Sequence, residues 1–190
     1  MTLQQILELC LEANPNRGET FVRAYLQSAL SELSQHNVFK QYFCIDTNKV
    51  LYKLPECVQS VISVEGFKRI GINENQKSTG KFVYYVDKVA DGSYLKIGIT
   101  SNGNILPSRL KTKIRAYVKL DIDEYDLCDE LPLDKHIVMG IIERVQEFMH
   151  NDPQERSRSH AIWREALSSA VRIANTNADK GMLKTVVDII

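Results

Sequence analysis

The order of elements constrains this chain more than any motif in it. Two amphipathic helical patterns open the sequence and two close it, while residues 38–126 between them read as β-strands. Helical ends around a β middle imply an α+β protein: a four-helix core, built from the N- and C-terminal helix pairs, with an inserted antiparallel β-module. The expected parts are an N-terminal helical pair at 1–37, the inserted β-module at 38–126, a C-terminal helical pair at 127–181 completing the core, and a C-terminal tail at 182–190. A length of 190 residues suits one domain carrying a large insertion.

In residues 2–13, Leu3, Ile6, Leu7, Cys10 and Leu11 recur on one helical face, and Asn14, Pro15 and Asn16 break the pattern. Residues 18–36 follow with Phe21, Val22, Tyr25, Leu26, Ala29, Leu30 and Leu33 as an apolar stripe. The short break predicts an antiparallel pair. A third helix is expected from Pro132, a favoured first helical position, with Ile137, Val138, Ile141, Ile142, Val145, Phe148 and Met149 inward. Asp152, Pro153 and Glu155 read as the N-cap, first position and capping-box partner of a fourth helix. It runs to about Asn177, with Trp163, Leu167, Ala170, Val171 and Ala174 inward and Gly181 as a stop.

Strand character appears at 42–46, 50–54 and 58–70, with Pro55 between the last two. Residues 73–80 are polar and read as a loop. Residues 82–90 and 93–100 flank Asp91-Gly92, which predicts a two-residue hairpin turn. That turn sets Val86 opposite Ile97, Tyr84 opposite Ile99 and Asp87 opposite Lys96. Tyr84, Val86, Leu95, Ile97 and Ile99 then share a buried face. Residues 113–123 alternate Ile114, Ala116, Val118, Leu120 and Ile122 with charged and polar residues, the pattern of a half-buried strand.

Formal charge is zero and the pI is about 6.9. A generic nucleic-acid binder is more basic, so bulk charge gives no reason to expect one. Cys10, Cys44, Cys57 and Cys128 form no Cys-x-x-Cys pair and no zinc-ligand spacing, which points to a reducing compartment. The N-terminus lacks the pattern of a signal peptide, and no apolar run approaches the length of a membrane span. The expectation is a protein made and kept in a cytoplasm.

Chemistry-bearing patterns are sparse. Glu147-x-x-His150 is half of a di-iron carboxylate motif whose second half is missing, so no metal is expected. The acidic run Asp121-Ile-Asp-Glu-Tyr-Asp126, followed by Asp129-Glu130, lacks the spacing and central glycine of a calcium loop. No nucleophile elbow, phosphate loop or dinucleotide fingerprint is present, and no catalytic residue or cofactor is expected. Arg156, Arg158, Arg164 and Arg172 on the fourth helix, with Lys111, Lys113 and Arg115 on a strand, read first as polar faces of amphipathic elements. Arg156, Arg158, Lys113 and Arg115 are also candidates for inter-subunit or phosphate contacts. In the tail, Met182, Leu183, Val186, Val187, Ile189 and Ile190 are costly to leave in water. Either the tail packs on its own domain or it adds to a neighbouring chain as a strand or hook.

Asp129-Glu-Leu-Pro-Leu-Asp-Lys-His136 leads into Ile137-Val-Met-Gly-Ile-Ile142, and a further helix carries Trp163-Arg-Glu-Ala-Leu167. Tyr52-Lys-Leu-Pro55 ends one strand before the valine-rich residues 58–64. With the N-terminal helical pair, these runs give a layout that resembles the head-to-tail adaptor proteins of tailed bacteriophages, the connector rings and tail tubular proteins. The resemblance spans most of the chain as a layout, and each of its motifs is short. It implies a virion structural protein of the neck or tail, present in the host cytoplasm during assembly. It implies a homo-oligomeric ring, commonly a dodecamer, docked beneath the portal protein and above downstream tail or neck proteins. Genomic DNA would pass through the axial channel during ejection without sequence-specific binding. No catalytic residue transfers, because the family has none, and no membrane is involved. The family's portal-engaging C-terminal segment falls here on the tail, Met182 to Ile190. Competing expectations are another neck or tail ring protein, a small enzyme or regulator of the host, and a nucleic-acid-binding module.

Overall fold

The computed structural model describes residues 1–71, 79–123, 130–176 and 181–189. Among the described residues four helices are formed: α1 (Leu3–Ala13), α2 (Glu19–Gln35), α3 (Lys135–Glu147) and α4 (Pro153–Thr176). Nine strands accompany them among the described residues: β1 (Lys40–Asp46), β2 (Leu51–Lys53), β3 (Val58–Val64), β4 (Lys68–Arg69), β5 (Phe82–Val89), β6 (Gly92–Ser101), β7 (Asn104–Leu106), β8 (Lys111–Val118) and β9 (Met182–Ile189). The chain divides into two compact units. The helical unit holds Met1–Lys40 and Lys119–Lys184, and the β unit holds Gln41–Val118 and Thr185–Ile190.

In the helical unit, Thr2 caps α1 by a reciprocal box: its Oγ1 accepts from Gln5 N and Gln5 Oε1 accepts from Thr2 N. Leu3, Ile6, Leu7 and Cys10 are buried along the inner face of α1. Asn14 ends it by donating from Nδ2 to Cys10 O at 2.8 Å. The stripe of α2 buries Val22, Leu26, Ala29, Leu30 and Leu33, and Asn37 takes a left-handed φ of 58° just beyond its end. Two polar side chains of α2 hold the incoming strand of backbone after β8. Ser34 Oγ accepts from Leu120 N, and Gln27 Oε1 accepts from Ile122 N at 2.7 Å. On α3, Gly140 allows the approach of α4, because a Cβ there would overlap Ala166 Cβ.

The β unit contains two sheets. The first has the order β3-β8-β1-β9; the second has β2-β6-β5-β4, with β7 also paired to β6. Each buries one face. Phe43, Ile45, Val61, Ile114 and Ala116 are buried from the first sheet, and Tyr52, Tyr84, Leu95 and Ile97 from the second. The turn between β1 and β2 is pinned by Tyr52, whose Oη donates to Asp46 O and accepts from Lys49 N at 2.7 Å.

Several expectations require correction. The four-helix core with an inserted antiparallel β-module is not the architecture: the fold is a mixed α+β one with two sheets. β4 and β5 run parallel, and the sheet containing β1 takes β9 from the end of the chain as well as strands from its middle. The β region is therefore not a closed insertion between helix pairs. The hairpin register also differs. Tyr84 faces Ile97, Val86 faces Leu95 and Val89 faces Gly92, so the turn residues are Ala90 and Asp91. Gly92 supplies the positive φ, 142°, one step after the turn rather than within it. A slip of two residues leaves each side chain on its expected face, and Tyr84, Leu95 and Ile97 are buried. The strand expected over 58–70 breaks at Gly66, φ 76°, into β3 and β4. α3 begins at Lys135 behind Asp134 rather than at Pro132. At α4, Asp152 Oδ1 does accept from Gln154 N at 2.8 Å, but Glu155 turns to His150 Nδ1 at 3.1 Å. Most of the polar loop expected at 73–80, the acidic residues Glu124, Asp126 and Asp129, Cys128, the end of the fourth helix at Asn177 and the terminal Ile190 lie outside the described residues.

Candidate functional site

The tail forms β9, an edge strand beside β1. Gly181 begins it with φ 79°, and a Cβ there would overlap Val38 O. Its carbonyl accepts from Lys40 N at 2.7 Å. Alternation then sorts the side chains. Leu183 and Ile189 are buried and Val187 is half-buried, while Val186 stands 52% exposed and Met182 is half-buried. Among the described residues, the second edge of β9 has no strand partner. An eight-residue edge strand without proline or bulge-forming glycine is a template for pairing with another chain.

Beside this strand lies a cleft of about 700 Å³, walled by Asp46, Glu65 and Asp188 against Lys49, Lys111 and Lys113. It brings together two of the candidate residues, Lys113 and Ile189. Lys111 Nζ reaches Asp46 Oδ1 at 3.9 Å, with both groups well exposed. Arg115 lies on the same face of β8, opposite Ser63, and its Nε is buried without a hydrogen-bond partner. Arg156 and Arg158 belong to the helical unit. Arg156 donates to His150 O at 2.9 Å, and Arg158 is exposed on α4.

Glu147 and His150 do not converge. Glu147 Oε2 accepts from Arg144 at 2.6 Å and its Oε1 lies 3.0 Å from His160 Nδ1, while His150 pairs with Glu155. Among the described residues no three His, Cys, Asp or Glu side chains gather as a metal site.

Sequence reading missed three features. The first is a polar chain through three helices: Trp163 Nε1 donates to Glu32 Oε2 at 3.0 Å, and Glu32 pairs with Arg144 at 3.2 Å. Nothing local to Glu32 announces it, since its partners lie over a hundred residues away on α3 and α4. The second is an aromatic ladder. Phe21 meets Tyr25 edge-on, Tyr25 stacks on Phe148 at 4.6 Å, and Arg144 covers Phe148 at 4.7 Å. Phe21 and Phe148 are exposed. The third is charge. The β unit carries twelve Lys and Arg against seven Asp and Glu, net +5; the helical unit carries twelve against seventeen, net −5. The zero total conceals this division, which only the unit boundaries expose.

Compared with known proteins, the chain matches no protein-family model and no curated sequence. No helix among the described residues is long and apolar enough to cross a membrane.

Proposed function

We propose that this chain is a ring-forming structural subunit of the bacteriophage neck, a head-to-tail adaptor that docks beneath the portal and surrounds the DNA channel. The observation that carries the reading is β9: it presents a strand edge with no partner strand among the described residues, and Val186 is exposed. Strand addition along such an edge takes its affinity from main-chain hydrogen bonds. Repeated once per subunit, a head-to-tail contact gives a ring when its rotation closes on itself and a filament when it does not. The ladder of Phe21, Tyr25 and Phe148 with Arg144, exposed at Phe21 and Phe148, has the aromatic and arginine composition of protein-binding hot spots and supports the same class of role.

The contribution of the tail is backbone and Val186 rather than a hydrophobic hook, because Leu183 and Ile189 are spent inside the sheet. Electron microscopy of the full chain, co-expressed with the portal protein of its own genome, tests the reading. A ring beneath the portal that is lost on Val186→Asp, with the circular dichroism of the folded chain retained, is the expected result. A ring built on other neck or tail proteins, without the portal, would move the subunit lower in the virion. A chain that joins no virion protein would overturn the proposal.

A further inference from the structure

The outward face of the second sheet carries two cross-strand rows. One is Leu51, Lys96 and Tyr85; the other is Lys53, Tyr94 and Asp87. Leu51 is 53% exposed, Lys96 Nζ sits 5.7 Å from the Tyr85 ring centroid, and Tyr94 Oη donates to Asp91 at 2.7 Å. By register this face carries three cations, Lys53, Lys68 and Lys96, against the single strand carboxylate of Asp87. Among the described residues none of these three forms an ion pair. The face thus combines exposed apolar and aromatic side chains with an excess of positive charge.

The complementary surface occurs on the same chain. α1 contains no cation, and it exposes Gln4, Glu8 and Glu12 in one row. Four residues of helix rise about 6 Å. Lys53 and Lys96 are diagonal neighbours across β2 and β6, a separation of roughly 7–8 Å at Cα and less at Cβ. The two spacings match.

We propose that this sheet face docks on the α1 face of a second copy of the chain. A nucleic acid would account for the +5 of the β unit but not for the equal and opposite −5 of the helical unit. A copy of the same chain accounts for both. The contact is head-to-tail, with different patches on the two partners, which is the kind that builds rings. The inference rests on the ring reading for its biological sense, but its chemistry is independent of the portal.

Sedimentation velocity of the full chain tests it across 50–500 mM salt, where the screening length shortens from about 14 Å to 4 Å. Self-association is expected to weaken steeply over that range. Lys53→Glu with Lys96→Glu, and separately Glu8→Lys with Glu12→Lys, are each expected to weaken it by at least about tenfold. Combining all four reversals in one chain is expected to restore it, a rescue that misfolding would not give. Absence of self-association at every salt concentration, insensitivity to the reversals, or no rescue in the fourfold variant would each overturn the proposal. So would lysine-dependent binding of a DNA oligonucleotide by a chain that stays monomeric. If rings form beneath the portal despite the reversals, the adaptor reading stands and this contact falls. If the contact behaves as described but no ring joins a portal, the reverse holds.

Discussion

Arg144 in the helical unit and Lys96 in the β unit are both half-buried cations, and the fold uses them differently. Arg144 bridges Glu32 and Glu147 and lies over Phe148, so its charge holds α2 and α3 together. Lys96 touches the ring of Tyr85 and has no carboxylate partner among the described residues. In the helical unit, then, charge is spent on internal geometry. In the β unit internal geometry comes from alternating apolar faces, and charge is left on the surface for something else. The two units are thus specified differently: one through a part-buried polar chain, the other through strand register.

The largest test of that contrast is Trp163→Ala. The side chain is fully buried and its Nε1 donor satisfies Glu32, so removal is expected to cost the helical unit about 3–5 kcal/mol. Amide hydrogen exchange locates the loss. Protection should fall in α3 and α4 and hold in β5 and β6; equal losses in both would erase the distinction between the units.

Overpacking is next in size. Gly140→Ala is expected to cost about 1–3 kcal/mol, with partial recovery on Ala166→Gly, since the two Cβ positions compete for one space. Gly98→Ala in β6 should cost a similar amount without such a rescue, because the obstacle there is the backbone carbonyl of Leu106. Urea midpoints of the single and double variants give the comparison. Recovery absent at Gly140 would mean that α3 and α4 are not in the contact described.

The paired and unpaired cations can be compared directly. Glu32→Gln keeps an acceptor for Trp163 but removes the charge facing Arg144, and is expected to cost about 1–2 kcal/mol. Lys96→Gln is expected to stay within about 0.5 kcal/mol of the parent. Thermal denaturation reads both, and a larger loss at Lys96 would invert the comparison.

The smallest effect concerns pH. Burial pushes the Cys10 thiol up to about 12 from its ordinary 9.0. The unfolded chain ionises this group first, so its contribution to stability is whole below about pH 9 and declines as pH rises towards 12. Replacing it with alanine should flatten that decline in urea titrations at pH 8 and pH 10. Iodoacetamide should meanwhile modify the half-exposed Cys44 well before Cys10. Equal rates of modification would contradict the burial.

The parts of the fold written in short-range chemistry were legible. The inner face of α1 and the stripe of α2 from Val22 to Leu33 sit where their periodicity places them, though Phe21 at the head of that stripe is exposed, and Asp152 with Pro153 opens α4. The hairpin faces were legible but its register was not, because glycine at position 92 can supply its positive φ inside the turn or just after it. The pairing of β1 with β9, and the chain from Trp163 to Arg144, were not legible. Both join residues more than a hundred positions apart, and no local propensity records them. For the candidate residues, the apolar character of the tail was readable as a cost of leaving it in water, but which side chains the sheet would consume was not. The division of charge was not legible for a different reason: a sum over the whole chain averages two units of opposite sign.

One feature of the first sheet bears on how the chain reaches this state. β1 lies between β8 and β9, strands roughly 70 and 140 residues downstream, so it has no sequence-local partner in its own sheet. Closing such loops carries an entropic penalty before any strand contact repays it. The helices and the β5–β6 hairpin can form early, but β1 must wait, with both edges exposed, for segments made much later. Refolding should therefore show a slow final phase seen by probes in β1 and absent from probes in α2, and crowded or rapid refolding should favour capture of the waiting strand by another molecule. On the ring reading proposed above, a subunit that adds strands to its neighbours carries that hazard in the very order of its chain.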